Sequence, residues 1–200
     1  MIASARGARA WLALAALLAA GALLAPLWPT PSLDWQPGIA WTQPWRWWTA
    51  AFVHWSRWHL IANLAGVALV AALGVAAAVT ARAALAWAIA WPLTQLGLLL
   101  KPELVHYGGL SGVLHAGVAV AGWQVARHGR GAQRAVGGLL LAGLAAKVLL
   151  ESPWGPALRH PSDWDIAIAP MAHACGAVAG LLMALACELA GSRRHSPDDR

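Results

Sequence analysis

The stretch HYGGLSGVLHAG, residues 106–117, decides how this chain is read. Two glycines follow His106 and Tyr107, and the stretch runs into an apolar segment that continues to Val125. If that segment crosses a membrane, Ser111 and His115 stand one helical turn apart at its mouth. Polar groups inside a bilayer are costly unless they pair or line a wet cavity. The stretch therefore poses two questions: whether the chain is a membrane protein, and what faces the serine.

Composition answers the first. Of 200 residues, 60% are hydrophobic and 11% are charged, against about 25% charged in a soluble domain. The apolar residues come in long runs with few charges, the pattern of a polytopic all-α membrane protein. Six spans are expected, at 10–27, 59–79, 83–100, 110–125, 135–150 and 166–189. Each approaches the roughly 20 residues that a helix needs to cross about 30 Å of hydrocarbon. A single membrane domain over residues 1–200 is expected, with no repeat. The N-terminal run could be a signal peptide, but it is long, and PLWPTP (residues 26–31) is a poor small-residue cleavage site, so a retained helix is expected.

The net charge of +6 does not indicate a nucleic-acid partner, because the basic residues lie in the connections between apolar runs. There they set orientation. Arg6, Arg9, Arg82, Arg127, Arg130, Arg134, Arg193, Arg194 and Arg200 fall on one side; Arg46, Arg57, Lys101 and Arg159 fall on the other. The positive-inside rule puts the first set, and both termini, in the cytoplasm. Cys175 and Cys187 share the last run and read as buried, inert thiols.

This topology aligns the unusual polar residues. Spans two, four and six all start at the outer face. Span two carries His59 and Asn63, span four Ser111 and His115, span six His173, each in its outer half. His173 sits roughly 10 Å below the surface at 1.5 Å per residue. Gly108, Gly112 and Ala116 recur every four residues, as do Gly176 and Gly180, and such spacing lets helix backbones approach closely. A serine and a histidine on different helices can meet only across such a seam.

A serine hydroxyl becomes a nucleophile when a neutral imidazole takes its proton. No acidic residue shares the helix face of His173, so a Ser111–His173 dyad is expected rather than a triad. His59 and Asn63, at i and i+4, share a face from which both could donate to an oxyanion, as could the Ser111 backbone N–H. Taken singly, a serine in such a helix is ordinarily bonded to a carbonyl four residues back, and His59 reads as an interfacial residue. The set at one depth points to a carbonyl hydrolase. Cys175 is no alternative nucleophile, since two residues along a helix turn about 200° and point it away from His173.

Three motifs now resemble the rhomboid intramembrane serine proteases. WRWWTAAFVHWSRWHLIANL (residues 45–64) is similar to the rhomboid Trp-Arg loop followed by a His-x4-His-x3-Asn pattern, here His54, His59 and Asn63. GLSG (residues 109–112) resembles the nucleophile motif, and AHACGAVAG (residues 172–180) the helix that carries the base. The resemblance implies a six-helix rhomboid bundle in a bacterial inner membrane, open toward the periplasm and acting on transmembrane protein substrates. It implies Ser111 as nucleophile, His173 as general base, and His59 and Asn63 as oxyanion stabilisers. Arg46 falls in the half-submerged outer loop, with a structural or lipid-facing role.

Many rhomboids have tyrosine where this chain has His115. The run from Tyr107 to His115 looks more like the rhombosortase branch, which implies substrates with a C-terminal Gly-Gly motif, a membrane helix and a basic tail. Lys147 and Glu151 fit that branch too, though as an i, i+4 pair near the outer face they read equally well as a snorkelled ion pair. No cofactor or metal is expected. Two other classes fit the sequence less well. A small transporter would want intramembrane carboxylates, which are nearly absent; a non-catalytic binder of transmembrane helices has no need of Ser111 and His173. The lid that would admit substrate is expected around span five and residues 153–161.

Overall fold

A computed structural model describes residues 2–160, 162 and 165–193 of the chain. Arg194 and Arg200, counted in the orientation above, and Pro161 of the expected lid lie outside the described residues, as does Met1. Six long helices carry the fold: α1 Ile2–Leu24, α2 Arg57–Ala76, α3 Ala81–Leu96, α4 Ser111–His128, α5 Ala132–Leu150 and α6 Pro170–Arg193. Short helices and 3-10 turns fill the connections, and no strand occurs among the described residues.

Local chemistry sets the helix ends. Ser56 accepts from the His59 N–H and Thr80 from the Ala83 N–H, each satisfying a donor that a helix N-terminus leaves unpaired. Span six was expected from residue 166 but starts at Pro170, a residue suited to the first helical turn. Before it the chain bends at Asp165 and Ile166, and Ile168 is bridged to Arg159.

Five of the long helices are long and apolar enough to cross a membrane. The chain is a multi-pass membrane protein. The sixth, α4, differs for a physical reason. It packs against α2, α3, α5 and α6, and Gly112, Val113, Leu114, Ala116, Ala119 and Val120 are buried within it. A helix ringed by other helices meets little lipid, so it can carry serine, histidine and glycine without an apolar surface.

The expected seam is present between α4 and α6. A Cβ on Gly176 would collide with the Gly112 backbone, and one on Gly180 with the Ala116 backbone. Gly108 does not join this seam; it precedes α4 and packs on Val53. Beneath the seam lies a tryptophan-rich core. The Trp11 and Trp87 rings sit 4.3 Å apart, and their indole N–H groups donate to the carbonyls of Val70 at 2.9 Å and Val113 at 2.8 Å.

The connection between α1 and α2 is built around a buried ion pair. Arg46 and Asp34 are 3% and 1% exposed. The guanidinium donates to Asp34 Oδ1 at 3.0 Å, to the Asp34 and Pro31 carbonyls at 2.6 and 2.7 Å, and to Gln43 Oε1 at 2.8 Å. Of the two roles open to Arg46, this is the structural one. Asp34 Oδ2 also accepts from His106 Nδ1 at 2.6 Å, and Trp35 and Tyr107 exchange backbone hydrogen bonds. The loop thereby grips the segment that leads into Ser111.

Candidate active site

Ser111 is the first residue of α4, where backbone N–H groups have no intrahelical partner. The approach to it is specified by glycine. Gly109 has φ +132°, which an L side chain rarely adopts, and a Cβ there would strike the His59 ring. Its N–H donates to the Ala50 carbonyl at 3.0 Å, and its carbonyl accepts from the buried Tyr107 hydroxyl at 3.3 Å. Burial pushes the Tyr107 phenol up to about 12, so it keeps its proton for that bond.

His173 lies in the first turn of α6, nearly buried. Its Nε2 is 2.9 Å from Ser111 Oγ. Its ring stacks on His115 with centroids 4.2 Å apart and planes at 9°, and His115 Nδ1 donates to the Ser111 carbonyl at 2.6 Å. His115 therefore touches both the base and the backbone of the serine, and ties the two partners together.

The expectation that no carboxylate stands behind His173 fails. Glu151 Oε2 lies 2.6 Å from His173 Nδ1. The carboxylate comes from another element, at the C-terminal cap of α5. A carboxylate only accepts, so Nδ1 carries a proton and Nε2 is left as an acceptor for the Ser111 hydroxyl. The other oxygen, Oε1, accepts from Lys147 Nζ at 2.7 Å. Burial acts to raise the Glu151 carboxyl, but its hydrogen bonds to His173 and Lys147 and their charges outweigh this and hold it at about 2. The helix end that presents Glu151 is itself fixed. Ser152 turns left-handed at φ +54°, a usual way to end a helix, and Arg159 donates to the Leu150 and Glu151 carbonyls at 3.3 and 3.1 Å.

His59 and Asn63 occupy adjacent turns of α2 facing Gly109. Asn63 shares a cavity of about 620 Å³ with Ser111, His115 and Lys147. Below these polar groups the cavity is lined by Leu69 and Val70 of α2 and Leu139 and Leu140 of α5, so it is an apolar cleft with a polar head. His54 stands behind, its ring 4.7 Å from that of His59 and its Nε2 3.1 Å from Asn63 Nδ2.

Ser111 and His173 thus bond directly and Asn63 lines the cavity beside Ser111, whereas His59 packs on Gly109 and His54 and is not among the residues lining that cavity. Sequence reasoning noticed Lys147 and Glu151 but not their link to His173. One usable signal was their position at the outer end of span five, level with the start of span six. His54 appeared only as a motif letter.

These features define a polytopic membrane protein with a serine, an imidazole and a carboxylate in line at the adjoining ends of three helices. The Rhomboid domain family model matches residues 42–188, and the chain belongs to the rhomboid family. Rhomboid proteins are generally intramembrane serine proteases, although some are inactive. No curated protein matches the chain.

Proposed function

We propose that the chain is an active intramembrane serine endopeptidase that works through Ser111, His173 and Glu151. The observation that carries this reading is the unbroken line from Ser111 Oγ to His173 Nε2 at 2.9 Å and from His173 Nδ1 to Glu151 Oε2 at 2.6 Å. An inactive relative has no need of a serine, base and carboxylate in register.

The chemistry follows from the donors. His173 Nε2 takes the Ser111 proton as Oγ attacks the scissile carbonyl carbon. Glu151 keeps the imidazole in the required tautomer and stabilises the imidazolium without taking its proton. The carbonyl oxygen becomes an oxyanion, which accepts from His59, Asn63 and the Ser111 backbone N–H. His173 then gives its proton to the departing amine, which leaves Ser111 acylated. Water completes the cycle, its proton passing through His173 and back to Ser111 as the acyl bond breaks.

The apolar cleft beside Ser111 suits a transmembrane segment lying between α2 and α5, with the scissile bond near its outer end. A helix hides its amides, so small residues and glycine at that bond favour attack. A C-terminal Gly-Gly sorting tail has this form, and His115 with the Lys147–Glu151 pair favours the rhombosortase branch. This reading places the chain in a bacterial inner membrane, where the positive-inside count supports cytoplasmic termini and a site open to the periplasm.

The test is co-expression with a Gly-Gly-tailed substrate. Wild type is expected to shorten the substrate, and Ser111→Ala and His173→Ala to leave it whole. Processing that persists unchanged in both variants rejects the reading.

A further inference from the structure

His54 is a fourth histidine at the site, beside His59, His115 and His173, and the mechanism above leaves it unused. It precedes α2 and is half-buried. Its Nδ1 lies 2.9 Å from the Phe52 carbonyl. A carbonyl only accepts, so Nδ1 carries the proton, and in the neutral ring Nε2 is an acceptor. Burial lowers the His54 pKa, against the pull of the Phe52 carbonyl, which favours that neutral ring.

The consequence falls on Asn63. Its side-chain amide ends in two groups of opposite polarity, NH2 and C=O, which are nearly equal in shape. The group 3.1 Å from His54 Nε2 must be the NH2, because an amide oxygen there would face a lone pair. One N–H then goes to His54 and the second remains on the same nitrogen, next to the cavity that Asn63 shares with Ser111. A turned amide would lose the bond to His54 and present oxygen in place of that nitrogen.

The Phe52 carbonyl that starts this chain is well held. It ends a 3-10 turn, Ala50–Phe52. The Phe52 ring packs edge-on against Trp91 at 5.3 Å and fills the space that a Cβ on Gly21 would need. A backbone carbonyl braced by α1 and α3 thus sets the His54 tautomer, and the tautomer sets the amide.

We propose that His54 is a positioning residue, which orients the Asn63 amide so that N–H rather than oxygen faces the oxyanion. This rests on the reading of Asn63 as an oxyanion donor. It predicts that His54 matters to turnover only through Asn63, and that any acceptor in the place of Nε2 suffices.

The experiment measures kcat and KM in detergent micelles. The substrate is a peptide with Gly-Gly ahead of a transmembrane helix, and the variants are His54→Leu, His54→Gln, Asn63→Ala and the double variant His54→Leu with Asn63→Ala. A lost oxyanion donor ordinarily lowers kcat by about a hundredfold to a thousandfold. His54→Leu is expected to lose about tenfold to a hundredfold in kcat, with KM within about twofold, because the amide is free to turn rather than absent. His54→Gln, whose amide oxygen can accept from Asn63, is expected to stay within about threefold of wild type, and the double variant to be no slower than Asn63→Ala alone. Losses that multiply in the double variant overturn the role of His54 and leave Asn63 as a donor. A folded His54→Gln enzyme as slow as His54→Leu does the same, and this arm stands even if His54→Leu does not fold. Wild-type kcat in Asn63→Ala rejects Asn63 as a donor, and the inference with it.

Discussion

Glu151 has two neighbours of opposite use: His173, which it orients, and Lys147, which holds its second oxygen. Removing its charge while keeping its shape separates orientation from packing. Glu151→Gln is expected to lower kcat by roughly a hundredfold or more, with little change in KM, since the amide can present N–H to Nδ1 and so favour the wrong tautomer. Its acid dependence has a definite sign. The folded carboxyl is held at about 2, below the ordinary glutamate value of about 4.3. The stability it contributes is therefore complete above that ordinary value and is lost as pH falls toward the folded one. Thermal midpoints measured from neutral pH down to about pH 3 should show Glu151→Gln shedding less stability on acidification than wild type. Gly109 is the second sensitive position. Gly109→Ala meets a left-handed φ and the His59 ring together and is expected to abolish activity, which the same kcat measurement checks. Ser111 and His173 were legible as a pair from motif and depth. Glu151 was not, because which helix ends meet is a property of packing, and its i, i+4 partner offered a sufficient local explanation.

The site exists because α4 and α6 touch. Small residues at four-residue spacing announced this contact in the sequence, and the backbones do meet at Gly176 and Gly112. Replacing Gly176 with valine must push the helices apart or unwind one of them, and either movement separates Ser111 from His173. Gly176→Val is expected to lose activity and to lower the thermal midpoint. Gly143→Ala, on α5 with open space where its Cβ would stand, should leave the midpoint near wild type. Helix ends were harder to read than helix faces. Span six begins later than its apolar run because the residues before Pro170 are spent on the bridge to Arg159. The 29–56 connection was legible only through the Trp-Arg motif that begins at Trp45. Its organising pair, Asp34 and Arg46, is separated by a segment whose folding no local pattern specifies.

At the scale of the molecule, one end is marked by exposed tryptophans. Trp28, Trp41, Trp55, Trp58 and Trp154 all lie in connections, or at a helix start, on the side where Ser111 sits. Indole rings with a polar N–H favour the membrane–water boundary. The opposite end holds Arg82, Arg127, Arg130 and Arg134. In a background with Cys175 and Cys187 replaced by alanine, a cysteine at Trp154 is expected to react with a membrane-impermeant thiol reagent in intact spheroplasts. One at Arg130 should react only after the membrane is opened. Equal labelling of both before opening rejects the proposed orientation. The count of six long helices was legible from composition, but α4 is not among the five apolar enough to cross a membrane, since it packs against four neighbouring helices.

The proton line from Ser111 to Glu151 is tested most directly by intact-mass measurement after treatment with a fluorophosphonate, which labels only an activated serine. One adduct is expected on the wild-type chain, at Ser111, with none on Ser111→Ala and slow, weak labelling of His173→Ala and Glu151→Gln. Undiminished labelling of folded His173→Ala and Glu151→Gln chains, or an adduct that survives Ser111→Ala, contradicts it.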